Sequence, residues 1–115
     1  MIYHFALESD WRRAQESRRY EADSLMAEGF LHCATADQLE TIAHCYFHGV
    51  PGLLLLSINE QKLTSDLKWD ENELGETYPH LHGHLNLDAV EDVVPLECGS
   101  DGAINILNFE CGQCE

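Results

Sequence analysis

Histidine is the residue this chain overuses, with seven in 115 residues. An imidazole titrates near neutral pH, so it suits proton transfer or metal ligation. The seven fall into three settings. His4 and His32 each lie inside an apolar, strand-like segment. A histidine there is either a hydrogen-bonded core group or a polar tip in a cleft, which Tyr3, Tyr20 and Trp69 could wall with aromatic surface. His44 and His48 are four residues apart, a spacing that clamps a metal when it falls on a helix. At about 100° per residue they project roughly 130° and 170° from the centre of that helix's apolar face, which makes them solvent-facing. His80, His82 and His84 alternate, so an extended chain would present all three on one side. Pro79 and Gly83 interrupt regular strand geometry, and no cysteine or carboxylate partner is fixed by spacing. A surface loop is therefore favoured over a metal centre, and no metal ligand is assigned.

The other reactive side chains are less informative. Five cysteines is an odd number, and no basic, apolar leader opens the chain, which together predict a reduced, cytoplasmic setting. Cys111 and Cys114 have C-x-x-C spacing without the following helix that lowers a thiol pKa, and read as incidental thiols in a tail. No Ser-His-Asp order, P-loop or glycine-rich dinucleotide fingerprint is present.

Charge narrows the partners. Six Lys and Arg against 21 Asp and Glu give −15, which disfavours nucleic acid and anionic membranes as general partners. Four of the basic residues, Arg12, Arg13, Arg18 and Arg19, fall within eight positions. A guanidinium fork suits phosphate oxygens, so Arg12 and Arg19, seven apart on one helical face, are the candidate contacts to a small anionic ligand. The alternative is an exposed basic stretch paired with Glu16, Glu21 and Asp23.

These residues need a scaffold. The length fits one domain, and 44% apolar with 23% charged residues is a globular composition. The first eight residues predict a strand, Ser9 and Asp10 a cap for a helix over 11–17, and Ser24 to Gly29 a second short helical turn. A brief strand is expected over 30–34. Thr35 and Gln38 have capping-box spacing, ahead of a helix whose apolar face carries Leu39, Ile42, Ala43, Tyr46 and Phe47. The run 52–58 predicts a strand buried on both faces. Further strands are expected over 66–70, 89–96 and 103–109, with 71–83 as a long polar loop. Two or three helices with five or six strands define an α+β domain.

Several of these segments share an order with a known family. Ile2-Tyr3-His4, Trp11 and Ala14, then Glu28-Gly29-Phe30-Leu31-His32-Cys33, are followed by Leu54-Leu55-Leu56, Asp66-Leu67-Lys68-Trp69-Asp70, Pro79-His80-Leu81 and Leu85-Asn86. The pattern, which runs to about residue 102, resembles the bacterial and plant family called domain of unknown function 952. Residues 103–115 add a final strand and the cysteine-containing tail to the same domain. The resemblance implies a split, mostly antiparallel sheet of the ADP-ribosyltransferase type around a cleft for a nucleotide or NAD-type ligand. It carries no established activity. Within such a cleft it implies His4 on the ribose, His32 as a second polar contact and a carboxylate that stabilises a developing sugar cation, for which Asp70 is the first candidate and Glu71 and Glu73 are the alternatives. His80, Trp69 and Tyr20 would contact the ligand, with Arg12 and Arg19 on its phosphates. Catalysis does not follow from the resemblance. A non-catalytic binding or interaction module on the same fold is the alternative, and a protein built on the histidine cluster to bind metal is a third class.

Overall fold

In the computed structural model the first six-residue strand, β1 (Ile2–Leu7), has five buried residues in succession, because both of its faces are covered. It pairs antiparallel with β4 (Leu53–Ile58), which in turn pairs with β8 (Val90–Leu96), giving the order β1-β4-β8. The description covers residues 1–21, 23–71, 75–98, 102 and 104. All six residues of β4 are buried, as a continuous Leu-rich run predicts for a central strand.

Alternation along these strands divides the interior into two clusters. Ile2, Ala6, Leu54, Leu56 and Ile58 face one side, with Ala14, Tyr20, Leu31, Leu81 and Leu85. Tyr3, Phe5, Leu53 and Leu55 face the other, against Leu39 and Ala43. The second group belongs to α3 (Leu39–Tyr46). That helix follows a single 3₁₀ turn closed by the predicted Thr35–Gln38 capping box. Tyr46 departs from the expected apolar face and is 76% exposed, whereas Leu39 and Ala43 are buried and Ile42 and Phe47 pack against the same cluster.

The first cluster is closed by α1 (Glu8–Ser17), by a two-stranded ribbon of β2 (Arg19–Tyr20) with β7 (Leu85–Asn86), and by a second three-stranded sheet. The helix starts at Glu8, three residues before the predicted position, with Leu7 at its N-cap and no side-chain cap. The Glu8 amide is instead satisfied by the Gly52 carbonyl at 2.9 Å, so a tertiary contact replaces the local one. Arg18 ends the helix with φ of +72°, a left-handed conformation that reverses the chain into β2.

The second sheet has the order β3-β6-β5, with β3 (Leu31–His32), β5 (Asp66–Glu71) and β6 (Thr77–His82). A short helix α2 (Asp23–Glu28) leads into β3. Here the expected loop over 71–83 is corrected: its second half is the central strand of a sheet. Composition misleads because only Pro79 and Leu81 of β6 are buried while the alternate Tyr78, His80 and His82 are not fully covered. Pro79 is tolerated because its carbonyl accepts the Cys33 amide at 3.0 Å just past the end of β3, where no further ladder donor is required. All strand pairings among the described residues are antiparallel, and the architecture is a small α+β domain. The expected last strand lies almost wholly outside the described residues. Ile104 alone is seen, in an antiparallel bridge to Cys98. Cys111 and Cys114 are likewise outside them.

Gly83 ends β6 with φ of +148°, and a Cβ placed there would lie 2.8 Å from the Ser65 Cβ. Gly83→Ala should therefore cost about 2 kcal/mol through strain and overlap. Urea unfolding checks this, and Ser65→Gly in the same chain should recover part of the loss.

Candidate functional site

The two sheets meet at the outer edge of β1, where the Tyr3 and Ala34 backbones exchange two hydrogen bonds of 2.8 Å. A cavity of about 260 Å³ opens there. Its apolar walls include Tyr3, Phe5, Ile42 and Phe47, and its polar lining comes from His4, Asp10, Tyr20 and His32.

His4 is fixed at the centre of this arrangement. It is 6% exposed, with Nδ1 2.6 Å from the His32 carbonyl and Nε2 3.0 Å from the Tyr20 hydroxyl. A carbonyl only accepts, so Nδ1 carries the proton, and Nε2 accepts from the phenol. Burial pulls the His4 pKa down to about 4, an effect only partly offset by the hydrogen bond to the His32 carbonyl. A neutral, doubly hydrogen-bonded imidazole results. The core and cleft readings of His4 are thus combined in one residue, which is satisfied internally and also lines a cavity.

His32 links this cavity to a second group of side chains. Its carbonyl holds His4, while its exposed ring donates from Nε2 to Glu28 Oε1 at 2.6 Å. Across the strand pair lies His80, with ring centroids 5.3 Å apart. His80 donates from Nδ1 to Asp70 Oδ2 at 2.8 Å and stacks on Phe30 with centroids 4.2 Å apart. His82 shares that face, 5.3 Å from Phe30, and its Nε2 is buried with no hydrogen-bond partner. The His32 and His80 imidazoles are each oriented by a hydrogen bond to a carboxylate. His84 follows Gly83 between β6 and β7, so the alternating triplet does not extend along one strand. Among the described residues, no three His, Cys, Asp or Glu side chains are grouped so as to hold a metal ion.

The predicted site residues thus do not all share one place. His4, Tyr20 and His32 share the cavity. His80 and Asp70 pair beside His32, outside its lining. Trp69 pairs with Pro79 on the opposite face of β5 from Asp70, 47% exposed. Arg12 and Arg19 also lie outside the lining, in exposed ion pairs with Glu8 at 3.7 Å and Glu21 at 3.6 Å, contacts that contribute little to stability. Asp10 and Phe30 gave no chemical signal in the sequence, where Asp10 reads as a helix cap. Glu28, four residues before His32, carried a spacing that anticipates its pairing.

No helix among the described residues is long and apolar enough to cross a membrane. No curated protein matches the chain. Among solved structures it is similar to the crystal structure of protein CC0527 from Caulobacter crescentus, with a TM-score of 0.86 and 29% identity over 93% of this chain and 95% of that one. The solution NMR structure of CC0527 is also similar, with a TM-score of 0.81 and 28% identity over 96% of each chain. The sequence profile described as protein of unknown function (DUF952) matches residues 5–93, and the chain belongs to that family.

Proposed function

We propose that this protein binds a small nucleotide- or NAD-type ligand, with one ring of the ligand entering the cavity at the edge of β1. One observation carries the reading: His4, Tyr20 and His32, distant in sequence, line a single cavity with aromatic walls. At about 260 Å³ the cavity is just below the usual range of about 300–1,000 Å³ for ligand pockets, so it accommodates part of a dinucleotide and not the whole. The rest of the ligand would run past His32 toward Phe30 and the His80–Asp70 pair. The likeness to ADP-ribosyltransferases belongs to the same proposal, as does a cytoplasmic location, in keeping with the free thiols of Cys33 and Cys45. Adding NAD to isotope-labelled protein should shift the resonances of His4, Tyr20 and His32; no shift at these residues at millimolar NAD overturns the reading.

A second reading is favoured by the hydrogen bonds of His4. Both of its nitrogens are engaged within the protein, which suits a binding or interaction module better than an enzyme that uses His4 as a base. Nicotinamide release from NAD that disappears in a folded His32→Ala variant would rule out the non-catalytic module.

A further inference from the structure

The electrostatics of the cavity narrow the kind of ring that fits it. Aromatic rings of Tyr3, Phe5, Tyr20 and Phe47 line it, and their faces attract positive charge. Its one carboxylate side chain among the described residues is Asp10, in the first turn of α1 and only 16% exposed. No lysine or arginine lines it among the described residues. His4 adds no positive charge, because its one N–H is donated to the His32 carbonyl and its other nitrogen accepts from Tyr20. His32 gives its Nε2–H to Glu28, which brings a second carboxylate to the rim. Asp10 does have a partner, the Arg13 guanidinium, but that side chain is 73% exposed, so solvent screens it more than it screens the carboxylate.

We infer that the cavity selects a cationic heteroaromatic ring, of the N-alkylated pyridinium class, over its neutral and anionic counterparts. This rests on the cavity being the ligand site and adds which charge it prefers. Asp10 and His4 line the same cavity, so a ring bound there lies within the field of the carboxylate. A ring with a fixed positive charge would gain from that field and from the aromatic walls together. A carboxylate-bearing ring would meet both with the wrong sign.

The test compares three probes of nearly equal size by NMR titration at pH 7: 1-methylnicotinamide as the cation, nicotinamide as the neutral ring and nicotinate as the anion. The cation should bind about tenfold more tightly than nicotinamide, with nicotinate weakest. Asp10→Asn should remove most of that preference, bringing the ratio of cation to nicotinamide affinity from about tenfold to within about twofold. Arg13→Ala, which leaves Asp10 folded in place without its partner, should increase the preference for the cation. Thermal melting of both variants confirms that they are folded. Equal binding of cation and neutral ring overturns the charge preference and leaves the cavity as a ligand site. Binding of none of the three at millimolar concentration overturns both readings.

Discussion

Lowering the pH from 7 to 4 should cost the native state about 3 kcal/mol through His4 alone. The sign follows from its environment. In the unfolded chain His4 takes up a proton near pH 6.5, whereas in the fold burial holds its pKa near 4. The unfolded state therefore binds more protons between these values, and stability falls as the pH drops through that window. Above pH 6.5 the contribution is fully present, and near pH 4 it is largely gone. Urea unfolding at pH 7 and pH 4.5 measures the change. His4→Gln provides the comparison, because its amide can donate to the His32 carbonyl and accept from Tyr20 without titrating. The variant should lose less stability than the parent by about 2–3 kcal/mol over the same interval. Equal losses in the two proteins would mean that His4 is solvated and titrates normally.

Leu55→Ala should destabilise the protein by about 3–4 kcal/mol, against well under 1 kcal/mol for Trp69→Ala. Leu55 is 0% exposed and sits in β4 between two hydrogen-bonded neighbours, opposite Phe5 on one side and Val94 on the other. Truncation there removes a transfer contribution and leaves a void that a central strand cannot collapse to fill. Trp69 is the larger side chain, but it is 47% exposed on edge strand β5. Urea midpoints of the two variants measure the contrast. A larger effect at Trp69 would mean that the second sheet, and not β4, organises the core.

Much of this scaffold was legible in the chain because local signals and tertiary environment agree. The Leu53 to Leu56 run sits in a strand covered on both sides, and Thr35 with Gln38 caps a helix end as their spacing predicts. Where they disagree, the sequence misleads. The segment carrying Tyr78, Pro79, His80 and His82 has the polarity of a loop, yet β3 and β5 supply backbone partners on either side and make it a strand. Asp10 has the spacing of a cap, but α1 begins earlier and turns its carboxylate toward the cavity. The site is legible to the same extent. His4 and His32 stand out as histidines in apolar strands. That the carbonyl of one holds the ring of the other depends on Tyr3 pairing with Ala34, a contact between segments about 30 residues apart that no local pattern records. The basic stretch shows the reverse case, since a strong sequence signal resolves into exposed pairs with Glu8 and Glu21.

The position of a bound ligand on the protein is the most direct test of the cavity as a binding site. Intermolecular nuclear Overhauser effects between NAD and isotope-labelled protein measure this. Contacts from the nicotinamide ring protons to Tyr3, Tyr20 and Phe47, with His32 beside the ribose, are the predicted result. Contacts confined to Trp69, or to the surface around Arg12 and Arg19, with none to the edge of β1, would contradict it.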